Sequence, residues 1–441
     1  MKEHIIQPMR LRWATYLGAF AVTMLLALIL LIGCALLPQE LICEHLADSV
    51  GTVERDTRDQ YIFDRSAASK ADVGTDVLML QASISTNNRY LGAVLTNPIY
   101  TYSDLPDWED LHEVIARQAY DIPHDGVWLY ARYWMGFRVI LRLALTLFNY
   151  AQIKRYLAVI FFTLFALVMT SVAKHSNLRN GFLFALSVIL VRPHVIASSM
   201  QFTCCFLIAF AAMLLIPWLY RHPRYEGLFF MEVGMVTMYF DFYTVPLITF
   251  GFPMLYLCLL RLEGGERISV RAVLKRFAAW AAGYGLMWIA KLTLTSLLTS
   301  VNGLAQGLSS FAVRVGIKKE AHLEKYNSVK AALDALGEAI FSDQTGKIVY
   351  LLMLALVVIV VLVQIGKKHV ALAHMRRGLP LMFLAAMPFI WFLVTIQPVA
   401  IHAYFQYRSI VLTYWGVGIY VQYLLGTRPV KKLESPLEQE T

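Results

Sequence analysis

The sequence predicts an all-α fold: a polytopic helical membrane protein with about ten transmembrane helices. Two observations carry that prediction. Of the 441 residues, 58% are hydrophobic, 13% aromatic and only 16% charged, a composition too apolar for a soluble domain of this size. The remaining charges are segregated. Residues 38–127 hold sixteen of the thirty acids and six Lys or Arg, a net charge of about −10, while the whole chain is +9. An acidic loop outside and basic loops inside is the arrangement that membrane insertion favours. The basic excess therefore reads as cytoplasmic loops facing anionic membrane lipids, and no nucleic-acid partner is expected.

Residues 1–37 read as a cytoplasmic N-terminus, held inside by Lys2, Arg10 and Arg12, and a first span. Leu31-Ile32-Gly33-Cys34 matches a lipoprotein cleavage box. The apolar run from Trp13 to Leu37 is long for a signal peptide, however, so an uncleaved signal anchor is expected. Residues 38–153 follow as a large extracytoplasmic acidic loop with an interfacial helix. The stretch 135–150 carries Arg138 and Arg142, and its unbroken apolar run is only Leu143 to Phe148, too short to span. In helical projection Arg132, Arg138 and Arg142 fall on one face, which predicts an in-plane amphipathic helix in the outer interface.

If 135–150 does not cross, the later elements alternate cleanly. Residues 154–300 form a membrane bundle with spans at 154–173, 181–198, 201–220, 228–241, 244–262 and 276–299. Residues 301–346 form a second extracytoplasmic loop, in which Asn327 to Ile340 has the apolar spacing of a surface helix. Residues 347–426 supply C-terminal spans at 347–366, 379–397 and 409–426, and 427–441 form a cytoplasmic tail. The basic groups Lys174 and Arg179, Arg221 and Arg224, Arg261 to Arg276, Lys367 to Arg377, and Arg428 to Lys432 then all lie inside. The expected location is the plasma (cytoplasmic) membrane, multi-pass, with both termini cytoplasmic. Cys34, Cys204, Cys205 and Cys258 sit in apolar runs and Cys43 stands alone in the loop, so no disulfide framework is expected. There is no P-loop, G-x-S-x-G, zinc-ligand spacing, dinucleotide fingerprint or internal repeat.

Ionisable groups at membrane depth are costly and usually functional. Arg192 and His194 fall at an outer turn, Asp241 at the tip of the 228–262 hairpin, and Lys291 in the outer half of its span. His402, Tyr407 and Arg408 lie in the last outer hairpin. All gather on one face, beneath the acidic loop. Each could instead be a helix cap, a snorkelling side chain or an interhelical partner. Glu232, on the inner half of its span, reads as a structural partner of a buried polar group. In the acidic loop, Asp72 and Asp76 are four residues apart, which puts both on one face of a helix. Such a pair could bind a divalent cation, or one member could serve as a general base. Asp76 could equally be a helix N-cap. The acids from Asp104 to Glu113 read as a solvated surface.

These features together resemble the GT-C class of membrane glycosyltransferases. The resemblance is carried by the signal-anchor span, the large acidic outer loop, the aromatic segment Tyr130-Ala131-Arg132-Tyr133-Trp134-Met135-Gly136-Phe137, read as an in-plane helix, and the last outer hairpin with His402 and Tyr407-Arg408. It implies a bacterial enzyme that takes a sugar from a polyprenyl-phosphate donor and passes it to a cell-envelope glycan or protein acceptor on the outer face. It places the essential acid in the first loop, as Asp76 or Asp72. Arg192, His194, Lys291, His402, Tyr407 and Arg408, with Tyr133 and Trp134, would hold the substrate and its phosphate. Asp72, Asp76 and Asp241 would hold a divalent cation, magnesium or manganese, if one takes part. A surface-polysaccharide polymerase or ligase shares the location and layout and needs arginines rather than a loop acid. A transporter or lipid flippase needs polar groups along its whole path, and the inner half of this bundle offers little beyond Glu232. A non-enzymatic assembly factor would not need the buried charges.

Overall fold

The computed structural model describes residues 12–426, except 63, 86–90, 106–109, 316, 319–324, 327, 342–346, 349–350, 353–354, 357, 360–361 and 364–371. The expectations for Lys2, Arg10, Asp107, Glu109, Asn327, Lys367, Lys368, half of the 347–366 span and the 427–441 tail lie outside the described residues.

The described residues are mainly helical, and among them one two-stranded antiparallel pair forms. Among the described residues four helices are long and apolar enough to cross a membrane: α1 (Trp13–Ala35), and three further along the chain, Tyr150–His175, Met200–Arg221 and Val270–Leu298. The first contains no charged residue. Several shorter apolar helices accompany them.

Between the first two long helices, the segment expected as a polar loop is a folded layer. It contains α2 (Gln39–Ala47), α3 (Val50–Arg58), α4 (Val73–Ile84), α5 (Leu91–Thr96), β1 (Pro98–Thr101), α6 (Leu111–Ala119) and β2 (Gly126–Leu129). The strands pair from Pro98 opposite Leu129 to Thr101 opposite Gly126. Ile42, Leu46, Val53, Val77, Leu80 and Ile115 form its buried core, joined to Leu31 of α1 and to Trp134 and Leu141. Acids such as Asp104 and Glu113 sit on its exposed side, paired with Arg117. High charge outside and a small apolar core inside is a stable solution for a segment that reads as polar by composition alone.

The expected in-plane helix is corrected in three ways. It is short, α7 (Phe137–Leu145). The aromatic segment before it is not helical: Met135 has φ 54°, a left-handed conformation that breaks the helix, so Arg132 lies outside it. Its amphipathicity is also turned inward. Arg138 and Arg142 are fully buried, while Ile140, Leu143 and Leu147 are exposed. Arg142 donates through Nε to Cys34 O at 2.8 Å, through Nη1 to Ser83 O, and through Nη2 to Leu37 O at 3.4 Å and Gln39 Oε1 at 3.2 Å. Those carbonyls belong to the ends of α1 and α4, where the last turns have no intrahelical partner and the dipole is negative. One guanidinium thus caps two helices. Arg142→Met is expected to lower the thermal aggregation midpoint of the detergent-solubilised protein by about 10 °C, and Arg142→Lys to restore part of it. An unchanged midpoint in the Met variant would contradict the capping role.

The remaining helices are α8 (Tyr150–His175), α9 (Leu178–Ile189), α10 (Pro193–Ala197), α11 (Met200–Arg221), α12 (Glu226–Phe240), α13 (Leu247–Glu263), α14 (Val270–Leu298), α15 (Gly303–Arg314), α16 (Val329–Phe341), α17 (Leu372–Arg377), α18 (Leu379–Val394), α19 (Ile396–Gln406) and α20 (Val411–Gly426). Asn149 and Gln152 make a reciprocal capping box that starts α8. The continuous span expected at 181–198 is instead two helices, because Arg192 adopts φ 60° between α9 and α10. The α12–α14 pair packs backbone to backbone. A Cβ on Gly234 would lie 2.1 Å from Trp280 O, and one on Gly283 would lie 2.0 Å from Met231 O, so only glycine permits that crossing. Glu226 binds both Arg261 and Arg276, tying the start of α12 to the end of α13 and the first turns of α14. Glu232 accepts from Thr23 Oγ1 at 2.8 Å, a polar link between α12 and α1. All five cysteines are free.

Candidate functional site

A polar cavity of about 650 Å³ lies where the folded layer, α11, the α12–α13 turn, α15 and α19 converge. Its lining contains one carboxylate (Asp72), one imidazole (His402), two guanidiniums (Arg132 and Arg314) and four amides (Gln201, Gln306, Gln397 and Gln406). Trp128, Tyr130, Tyr133, Phe242, Tyr243 and Phe405 supply aromatic surface. A larger, mostly apolar groove of about 1100 Å³, walled mainly by α9, α13 and α20, shares no residue with it.

Local structure explains how each group is placed. Asp72 is the N-cap of α4: its Oδ1 accepts from Thr75 N at 3.1 Å, and its Oδ2 accepts from Thr75 Oγ1 at 2.8 Å. The cap of this helix is therefore Asp72, not Asp76. The aromatic turn 130–133 is pinned from three sides. Asn97 Nδ2 donates to Tyr130 O at 3.0 Å and to Tyr133 O at 2.7 Å, Trp288 Nε1 donates to Arg132 O at 3.0 Å, and Gly136 N donates to Tyr239 O at 2.8 Å. Arg132 stacks over Tyr130, 4.2 Å from the ring centroid, and donates to Tyr130 OH at 2.7 Å and Ser310 Oγ at 3.0 Å. Arg314 donates to Tyr133 OH and lies between the Tyr133 and Tyr243 rings, 5.3 and 5.0 Å from their centroids. Among the described residues neither guanidinium has a carboxylate partner within ion-pair distance. Tyr243 holds φ 71°, a costly conformation for a bulky residue. Its carbonyl accepts from Gln406 Nε2 at 3.3 Å. His402 sits at a kink in α19 and stacks on Phe405 with centroids 5.1 Å apart. Burial pushes its imidazole down to about 4, with Asp72 pulling it back up and Arg314 and Lys70 pushing it further down. That shift favours the neutral imidazole, which can both donate and accept a hydrogen bond.

Of the residues expected at the site, Asp72, Tyr133 and His402 are brought together here. The others are held elsewhere. Asp76 is fully buried and accepts four hydrogen bonds: from Tyr150 OH (3.1 Å), Ser199 Oγ (3.0 Å), Met200 N (3.1 Å) and Gln201 N (3.1 Å). It serves the first turn of α11. Burial pushes its carboxyl up to about 6, opposed by the charge of Lys154 and by those amides. Asp241 accepts from Thr244 N at 3.1 Å and from Thr244 Oγ1, closing the turn after α12. Arg192 is bound to Asp64 at 3.0 Å and to Ser66 and Ser69 of the folded layer. His194 is exposed beside it on α10. Lys291 is wholly buried and donates to Leu95 O and to Thr295 Oγ1. Trp134 donates to Met287 O at 2.8 Å. Arg408 donates to Tyr404 O and to Ala68 O at 3.1 Å, and stacks on the buried Tyr407. None of these lines the cavity.

Among the described residues no three His, Cys, Asp or Glu side chains are arranged to hold a metal ion. Of Asp72, Asp76 and Asp241, the three acids expected to share a cation, only Asp72 lines the cavity, while Asp76 accepts from the α11 N-terminus and Asp241 from Thr244.

Sequence reasoning missed Arg132, Arg314 and the glutamines as site residues. A signal for three of the amides was present: Gln201, Gln397 and Gln406 interrupt apolar runs, and a buried amide needs partners as a buried charge does. No family model, curated protein or solved structure matches the chain. The site must be read from its own chemistry.

Proposed function

We propose that the protein is a membrane glycosyltransferase that moves a sugar from a polyprenyl-phosphate donor to a cell-envelope glycan or protein acceptor. The observation that carries this reading is the cavity's composition. One carboxylate faces a space that also holds several amides, aromatic faces and two guanidiniums that have no carboxylate partner among the described residues. Arginine forks suit phosphate oxygens, and amides and aromatic faces suit a sugar ring. An acceptor hydroxyl oxygen attacks the anomeric carbon, and its proton passes to Asp72. The bond from that carbon to the phosphate oxygen breaks, and the electron pair leaves with polyprenyl phosphate. Arg132 and Arg314 would stabilise the leaving charge, in place of the buried or ion-paired Arg192, Lys291 and Arg408. By the charge pattern, the layer 38–148 and α15 would lie on the outer face of the plasma membrane, with both termini cytoplasmic.

The test is release of polyprenyl phosphate and labelled glycan from a polyprenyl-phosphate sugar by the purified protein in vesicles. Arg314→Gln should lower turnover about 10²-fold. Binding of the donor without any release by the wild type would overturn the reading. The two guanidiniums without carboxylate partners also suit a polysaccharide polymerase or ligase. That alternative predicts dependence on Arg314 with none on Asp72.

A further inference from the structure

We infer that Tyr133 and Tyr243 are positioning residues: their rings hold the Arg314 guanidinium in place for the donor's phosphate, and the left-handed backbone at Tyr243 is retained to put its ring there. The inference rests on the phosphate reading proposed above.

The two guanidiniums that line the cavity are not equally available. Arg132 donates through Nη1 to Ser310 Oγ and through Nη2 to Tyr130 OH, and its Nε is sealed from solvent without a partner among the described residues. Arg314 donates through Nη2 to Tyr133 OH. Its Nε and Nη1 make no hydrogen bond among the described residues, and neither is sealed from solvent. Arg314 is therefore the guanidinium with uncommitted donors, and it lines the cavity.

An arginine that no ion pair directs keeps many rotamers, and ordering it on a ligand costs entropy. Here the protein does the ordering. The guanidinium lies over the Tyr133 ring, 5.3 Å from its centroid, and over the Tyr243 ring, 5.0 Å from its centroid. Both distances are within the range of cation–π attraction. The rings come from separate elements, the aromatic turn after β2 and the turn between α12 and α13, while Arg314 ends α15. The Tyr133 hydroxyl adds a directed contact from one of them.

Tyr243 takes φ 71°, where a bulky side chain is rare and costly. Glycine would take that backbone without strain. The turn is nonetheless held with tyrosine in it. Its carbonyl accepts from Gln406 Nε2 at 3.3 Å, and its ring packs on Trp391 with centroids 5.4 Å apart. A strained residue that survives beside a cavity points to work done by its side chain, and this ring's charged neighbour is Arg314.

The test is a phosphorus NMR titration of the full-length protein in lipid nanodiscs, with inorganic phosphate and farnesyl phosphate as probes. The wild type should bind both, and Arg314→Gln should weaken both about tenfold or more. Tyr243→Leu should weaken them about three- to tenfold, and Tyr243→Phe should restore most of the affinity. Tyr133→Leu, which removes ring and hydroxyl together, should lose at least as much. Adding Tyr243→Leu to Arg314→Gln should cost nothing further, because the ring acts through the guanidinium. Tyr243→Gly removes the ring and relieves the backbone, so it decides the matter should Tyr243→Leu fail to fold.

Unchanged affinity in both Tyr243→Leu and Tyr243→Gly would overturn the inference and leave the phosphate site standing. So would an equal loss from Tyr243→Leu with Arg314→Gln already in place, or a loss that Tyr243→Phe does not recover. Phosphate binding that ignores Arg314→Gln would hand the anion to Arg132 and sink the clamp. A wild type that binds neither probe would remove the inference and the phosphate reading together.

Discussion

Asp72→Asn is expected to reduce glycosyl transfer by roughly 10²–10⁴-fold in a protein that folds and binds its donor as the wild type does. The substitution isolates the chemistry because of where Asp72 sits. As the N-cap of α4 it accepts from Thr75 N and Thr75 Oγ1. Asparagine is as good an N-cap as aspartate, and its remaining oxygen still accepts from the Thr75 amide. The helix therefore keeps its start, and what is removed is the group that takes the acceptor's proton. The measurement is single-turnover release of polyprenyl phosphate, alongside donor affinity and monodispersity of the same preparation. A drop in turnover with unchanged affinity identifies a group that acts in the transition state. Full activity in Asp72→Asn, combined with loss in Arg314→Gln, would shift the reading to a polymerase or ligase.

Asp76→Ala is expected to do the reverse and deprive the protein of its fold, at a cost of about 3–5 kcal/mol. Four donors converge on this carboxylate, from Tyr150, Ser199, Met200 and Gln201. Two are backbone amides of the first turn of α11, which have no intrahelical acceptor. Alanine would leave all four unpaired in a buried position. Asparagine would turn an amino group toward groups that are themselves donors, and should recover little. The consequences extend beyond α4, because the same carboxylate joins it to α8 and α11. The fraction of solubilised protein that elutes as one species, against temperature, reports the loss. A stable and catalytically dead Asp76→Ala would mean that the roles assigned to the two acids are exchanged.

Much of the architecture was legible in the chain. The long apolar helices α1, α8, α11 and α14 follow from hydropathy over about 20 residues, a property each segment carries by itself. The acid-rich stretch stands apart by its charge alone, and Asp72, Tyr133 and His402 stand out in the sequence as candidates that the fold places around one cavity. The structure breaks the expected span at Arg192, ends the aromatic segment at Met135 before α7 begins, and turns the arginine face of α7 inward. Each departure depends on one left-handed residue or on carbonyls from distant helices, which periodicity does not register.

The cations show the division most clearly. The sequence displays Arg192, Lys291 and Arg408 as costly charges near membrane depth, and cost alone makes each a candidate for binding phosphate. Only the packed chain reveals their partners: Asp64 for Arg192, the Leu95 carbonyl for Lys291, and the Tyr404 and Ala68 carbonyls for Arg408. Arg132, which the sequence shows only as part of an amphipathic aromatic segment, and Arg314, which nothing in the sequence singles out, both line the cavity with no carboxylate within ion-pair distance among the described residues. Hydropathy and charge are sums over neighbours in sequence, so composition was enough for the helical class and the long apolar helices. A charge becomes available to a ligand only when no carboxylate or carbonyl from elsewhere has claimed it, and that depends on contacts between residues far apart in the chain.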